Sequence, residues 1–359
     1  SYAVWTNGGS GNNLNITGNI TTSGFMGYGY LFQNTTGNTL TMSGDISTSG
    51  SSAHGLDFSL GASNNTVIMT GDITTTGIVS AALRNISSDS NTITITGNLS
   101  TSETGSHAYS VFDGDSNTTT INGNLSTTGL VASHGIWISG DESSNFNTTT
   151  INGNITTTGE SYGIYVQDST NNITTVTGNI ITSGTGGNAE PILLEGSDSN
   201  TFTLSGAVHS LGGDQAIAVN ATSQNNTFTF KRGVSFIGGL ENNGGSTNKL
   251  IFDMGKASSY NLDFDDTSWT MEDPHKAIVE GSAKSMGVAD IDNQAHILYR
   301  RMDPVNDVLS ERQRLYKAGQ RPTGYYIDSY YGHDKRDEDY SEISGNAGGM
   351  TVGYVLENT

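Results

Sequence analysis

Three sets of residues recur along this chain at a spacing that could assemble chemistry. Tyr28, His54, Ser80, His107, His134, Tyr162, Glu190 and Gln215 follow one another every 25–28 residues. If successive repeats stack, His107 and His134 meet, and paired imidazoles are metal ligands or a pH switch. Acidic residues recur as well, at Asp89, Asp113, Asp115, Asp141, Asp168 and Asp198. Carboxylates one strand apart repel unless a cation bridges them, which makes Asp113, Asp115, Asp141 and Asp198 candidate Ca²⁺ ligands. The third set is hydroxylic: Thr21/Ser23, Ser47/Ser49, Thr74/Thr76, Ser100/Ser102, Ser126/Thr128 and Thr156/Thr158. A spacing of i and i+2 puts both members on one face of a strand. Thr21, Ser47, Thr74, Thr76, Thr128, Thr156 and Thr158 are therefore surface-contact candidates, for a glycan, an ice plane or another flat surface.

Each set also has a plainer explanation. Tyr, Ser, Glu and Gln share the histidine position, so a corner side chain fits it better than a metal ligand. The G-G-x-G-x-D calcium repeat is absent. Threonine is simply the polar residue that suits a pleated strand. Paired acids such as Asp113/Asp115 and Asp141/Glu142 have the composition of a glycosidase pair, but their place at corners reads as solvated turns. No catalytic residue and no resident cofactor are expected.

The elements that must carry these columns follow from internal repetition. NTLTMSGDISTSG from Asn38, NTVIMTGDITTTG from Asn65, NTITITGNLSTSE from Asn91 and NTTTINGNLSTTG from Asn117 are near copies, continued from Asn147, Asn172, Asn200 and Asn226. The glycines Gly18, Gly44, Gly71, Gly97, Gly123, Gly153, Gly178 and Gly206 lie 26, 27, 26, 26, 30, 25 and 28 residues apart. A period in this range marks a stacked repeat. Within one repeat, Ile93 and Ile95 alternate with threonines, and a second alternating run begins at Leu99 after a Gly-Asn break. A third run closes each repeat, as in Leu56-Asp57-Phe58, Ile136-Trp137-Ile138 and Ile164-Tyr165-Val166. Three short strands joined by polar corners make one coil of about 26 residues, and no repeat has a helical period. The fold class expected is all-β, a right-handed parallel β-helix of nine to ten coils, with Leu40, Val67, Ile93 and Thr119 stacked in one inward column.

Composition is consistent with such a coil. A hydrophobic fraction of 33 % is low for a globular core, yet a narrow solenoid needs only one inward face per strand. The chain has no cysteine, so disulfides and thiolate metal sites play no part. Residues 1–230 carry fifteen acidic residues against one basic residue, Arg84. This acid-rich segment should repel nucleic acid. Ser1-Tyr2-Ala3-Val4 enters a repeat directly, and the chain reads as the middle of a longer protein.

Beyond the repeats the pattern changes. Lys249–Asp253 and Trp269–Met271 read as less regular strands that finish the stack. Asp290–Lys317 has loosely helical apolar spacing interrupted at Pro304. Thr323–His333 and Gly348–Leu356 alternate as two aromatic-rich strands around a polar loop over Asp334–Asn346, in the manner of outer-membrane barrel strands. The expected organisation is solenoid over 1–247, a closing cap over 248–285, a helical linker over 286–320 and partial barrel-like strands over 321–359.

This order of segments resembles Gram-negative type V autotransporters: a secreted β-helical passenger, an autochaperone-like end, a pore-threading helix, then Tyr-x-x-x-Tyr-Tyr-Gly (Tyr326–Gly332) and Gly-Gly-Met-Thr-Val-Gly-Tyr (Gly348–Tyr354) as opening barrel strands. The resemblance implies export through the periplasm to the cell surface and outer membrane, with the translocator as membrane partner. It implies a non-enzymatic adhesin, stalk or self-associating filament that touches glycans, surfaces or sibling chains. An ice- or polysaccharide-binding solenoid and a β-helix enzyme are the alternatives.

Overall fold

The structure is a computed structural model, and it describes residues 2–140, 144–185, 187–253, 260–261, 268–272, 274, 285–286, 324–338 and 341–355. Residues 2–253, with the short segments 260–261, 268–272, 274 and 285, belong to one compact unit, an all-β parallel solenoid of about nine turns. No helix occurs among the described residues. Each coil lays one strand on each of three parallel sheets. The first sheet has eleven strands, running from Asn13–Thr17 through Thr39–Ser43, Thr66–Thr70 and Thr92–Thr96 to Lys249–Asp253 and Thr270–Glu272. The second has nine, from Ile20–Thr22 through Ile46–Thr48 and Leu99–Thr101 to Ser235–Ile237. The third has ten, from Val4–Asn7 through Tyr30–Gln33 and Leu56–Ser59 to Leu240–Asn242.

Register turns the repeated letters into columns. Leu40 pairs with Val67, Val67 with Ile93 and Ile93 with Thr119, as the alternation predicts. The next inward column is Met42, Met69, Ile95, Ile121 and Ile151, all buried. Coils sit one inter-strand spacing apart, ~4.8 Å, so each apolar side chain packs on its copies above and below. The repeat glycine is required by the same closeness: a Cβ on Gly97 would lie 2.1 Å from the carbonyl oxygen of Gly71 on the preceding coil. At the far end Trp269 is buried, donates Nε1–H to the Leu240 carbonyl at 3.1 Å and meets Phe228 edge-on.

A second kind of column fills the junction before the first sheet. Asn38, Asn65, Asn91, Asn117, Asn147, Asn172, Asn200, Asn226 and Asn248 are at most 2 % exposed. From Asn38 onward the backbone N–H of each donates to Oδ1 of the asparagine on the following coil, at 2.8–3.0 Å. From Asn65 onward Nδ2 also donates to a main-chain carbonyl, such as Ala62 from Asn91 and Ser88 from Asn117. A buried amide keeps its place only when its donors and acceptor are used, and here they are.

Residues 324–338 and 341–355 belong to a second unit, in which Gly324–Glu338 and Ser341–Val355 pair antiparallel from Gly324↔Val355 to Glu338↔Ser341. The polar stretch 334–346, expected as a loop, thus continues both strands up to residues 338 and 341. The ladder is made by main-chain N–H and C=O groups, which residues of low strand propensity also carry. Of the expected helical linker over 286–320, Met286 closes the short strand Ser285–Met286, and the rest, Asp290–Lys317 included, lies outside the described residues.

Candidate functional site

The hydroxyl columns lie where the i, i+2 spacing puts them. Thr21, Ser47, Thr74, Ser100, Ser126 and Thr156 occupy the outward middle position of six consecutive strands of the second sheet, each directly paired with the next. Thr74 and Ser100 hydrogen-bond through their hydroxyls at 3.0 Å. Thr76, Thr128 and Thr158 sit just past the strand ends and still join the ladder, their N–H groups donating to the carbonyls of Thr48, Thr101 and Thr127 at 2.9–3.0 Å. The outward column then changes character, to Ile181, His209 and Ile237.

Between those outward hydroxyls runs the inward set that the same alternation places on the opposite face. Thr48, Thr75, Thr101, Thr127, Thr157 and Thr182 are buried. Their Oγ1–H groups donate to carbonyls across the following corner, for example Thr48 to Ala53 at 2.6 Å and Thr101 to Ser106 at 2.7 Å. The inward threonines fasten corners. Only the outward ones are free to meet a partner.

The acidic corners separate into two positions. Asp89, Asp115 and Asp198 share one column with Asn145 and Thr170, and their carboxylates accept main-chain N–H groups of the next coil: Asp115 on Asp89 at 2.8 Å, Asn145 on Asp115 at 2.7 Å and Gln224 on Asp198 at 2.6 Å. Asp113 and Asp168 occupy the other, both in the left-handed region at φ +50° and +48°. Asp113 and Asp115 therefore stand at different corner positions. Asp141 lies outside the described residues. Among the described residues no three His, Cys, Asp or Glu side chains gather at one point.

The histidine column is tightly packed. His107 and His134 do stack on adjacent coils, with ring centroids 5.1 Å apart and planes 20° from parallel, and Tyr162 stacks on His134 at 5.0 Å. The position assigned to Ser80 is held instead by Ala81, whose N–H donates to His54 Nδ1 at 2.9 Å. Ser80 belongs to a serine ladder one residue earlier, with Ser106, Ser133 and Ser161. The N–H of His134 donates to His107 Nδ1 at 3.2 Å, and that of Tyr162 to His134 Nδ1 at 3.0 Å. An Nδ1 that accepts a main-chain N–H is not a free metal ligand, and the proton of the neutral ring sits on Nε2. Burial lowers all three imidazoles, His107 to about 4.

Trp137 and Tyr165 extend this column onto the outward face of the third sheet, where they are register partners. Trp137 meets His107 at 4.8 Å and Tyr165 meets Tyr162 at 4.9 Å. The signal was present in the alternation Ile-Trp-Ile and Ile-Tyr-Val, whose middle residue points outward. On the same sheet a cavity of about 260 Å³ lies beside Arg84, lined by Tyr2, Tyr28, Leu31, Gln33 and Ser59 among others. Residues 159–163 spell G-x-S-x-G, but Ser161 is buried in a corner between two strands and its Oγ accepts the Ser133 N–H at 3.0 Å. A nucleophile elbow instead presents its serine at a strand-to-helix turn.

No family model, curated protein or solved structure matches this chain.

Proposed function

We propose that the chain is a non-enzymatic, surface-displayed solenoid, the C-terminal part of an autotransporter passenger with a helical linker over 286–320 and the first strands of its translocator barrel. In this reading the coils wind right-handed, the chain is exported through the periplasm, and the antiparallel pair Gly324–Glu338 and Ser341–Val355 begins the outer-membrane barrel. The displayed part works by contact, as an adhesin or stalk. The observation that supports it is the outward column Thr21, Ser47, Thr74, Ser100, Ser126 and Thr156, one hydroxyl per coil on a continuous sheet.

Hydroxyls repeated every ~4.8 Å suit glycans and other hydrated surfaces, since each bond is weak and the array adds them. The Ser/Thr mixture, interrupted at Ile181 and His209, fits sugar hydroxyls better than an ice lattice. The test is retention on immobilised glycans and on hydrated mineral surfaces. Replacing Thr74 and Thr156 by Val and Ser100 and Ser126 by Ala keeps the shape and removes the hydroxyls. Retention should fall about tenfold or more with an unchanged melting temperature. Retention equal to that of the parent chain on every surface would end the proposal.

A further inference from the structure

The corners that follow the second sheet carry an apolar ridge of a particular rhythm. Phe25 and Met26, Ile78 and Val79, and Leu130 and Val131 are exposed, Phe25 by 67 % and Leu130 by 75 %. They belong to the first, third and fifth of six consecutive corners. The second, fourth and sixth carry Ser51 and Ser52, Thr104 and Gly105, and Gly159 and Glu160 instead. Main-chain bonds fix the alignment: Met26 N–H donates to Ser51 O, Ser52 to Ile78 O, Val79 to Thr104 O, Gly105 to Val131 O and Ala132 to Glu160 O, all at 2.9–3.0 Å, which sets Phe25, Ser51, Ile78, Thr104, Val131 and Glu160 in one row, with Leu130 an extra residue of the longer fifth corner. Apolar knobs thus stand two coils apart, about 10 Å, with small or polar gaps between them.

The knobs are costly where they stand. Val79 adopts φ +54° while 56 % exposed, and a β-branched residue in the left-handed region is strained with only partial burial inside the chain to offset it. A gap beside each knob is what a second set of knobs would need. We propose that the ridge seats a second copy of this chain, antiparallel, on a two-fold axis crossing between the third and fourth corners.

That placement is self-complementary. Ile78 and Val79 of one copy face the Thr104–Gly105 gap of the other, Leu130 and Val131 face Ser51–Ser52, and Phe25 and Met26 face Gly159–Glu160; the axis gives each contact twice. One copy out of step by a coil sets knob on knob. The ridge is about 25 Å long and one corner wide, less than the ~800 Å² per partner of a stable dimer, so the pairing is weak and concentration-dependent unless many chains are held together at a surface. The acid-rich coils also repel, so added salt tightens the contact.

The inference deepens the contact reading above by naming a partner, and it is tested in solution without any glycan or surface. Sedimentation velocity of the full chain over a concentration series should show a reversible dimer, tighter in high salt. Leu130→Ser with Ile78→Ser should weaken it about tenfold or more with the melting temperature unchanged. Ser51→Phe separates a shaped contact from simple stickiness. A gap filled by a ring should weaken an interdigitated pair, whereas an unshaped apolar patch would associate more strongly. A monomer at every concentration, or tighter association of the Ser51→Phe chain, overturns the proposal and leaves the glycan result standing or falling by itself.

Discussion

Arg84 grips Asp57 of the preceding coil with two hydrogen bonds, Nε to Oδ1 at 2.6 Å and Nη2 to Oδ2 at 3.0 Å. The two are register partners on the third sheet, and Asp57 is fully buried while Arg84 keeps part of its side chain at the surface. Burial pushes the Asp57 carboxyl up and the guanidinium pulls it down. The one basic residue of the first 230 is therefore committed to a carboxylate of its own chain.

Removing one partner should cost far more than removing both. Arg84→Ala leaves a buried carboxylate alone, and the expected loss is roughly 3–5 kcal/mol. Asp57→Leu with Arg84→Met replaces the pair by apolar side chains of similar size and should recover most of it. Urea midpoints of the single and double variants check this. A single variant as stable as the parent chain would show that the pair contributes nothing.

The asparagine ladder makes a second prediction. Asn117 lies in the buried column, its Oδ1 accepting two N–H groups of Asn91, whereas Asn124 stands in an exposed corner ladder and accepts the N–H of Asn154. Asn117→Ala strips partners from groups that water cannot reach, at about 1–3 kcal/mol for each one left unpaired. Asn124→Ala exposes its donors to solvent and should cost well under 1 kcal/mol. Thermal melts of the two variants should differ clearly. Equal shifts would contradict the burial of the column.

Much of this architecture is legible in the residues because a solenoid is built from local rules repeated. The period, the three strands per coil and the inward column through Val67 and Ile93 all follow from alternation. What alternation cannot give is which polar residues at the corners are buried. Asn91 and Asn98 are the same letter seven residues apart, yet one is sealed in the ladder and the other faces solvent. Thr101 and Ser102 do separate by alternation, and the bond that Thr101 makes to Ser106 is what satisfies its buried hydroxyl. Counting places Ser80 in the histidine column where Ala81 stands, for a related reason: spacing by count slips wherever corners differ in length, and hydrogen-bond register decides.

The histidines make the last prediction, on pH. His54, His107 and His134 are held below the ordinary imidazole pKa of 6.5, chiefly by burial, with Arg84 adding to the effect at His54 and His107 at His134. Each Nδ1 already accepts a main-chain N–H, so a proton there would set donor against donor. In the unfolded chain these rings take protons near pH 6.5, and in the folded coil they resist. The unfolded state therefore binds more protons between the two values, and stability falls as pH drops below about 6.5. For His107 the loss should be complete near pH 4, at roughly 3 kcal/mol for a shift from 6.5 to about 4. Urea midpoints between pH 7.5 and 4.5 should fall more steeply for the parent chain than for a His107→Asn chain, whose amide oxygen can still accept the His134 N–H without titrating. Parallel curves would mean that His107 is protonated as easily folded as unfolded, and the packed, neutral column described above could not then be correct.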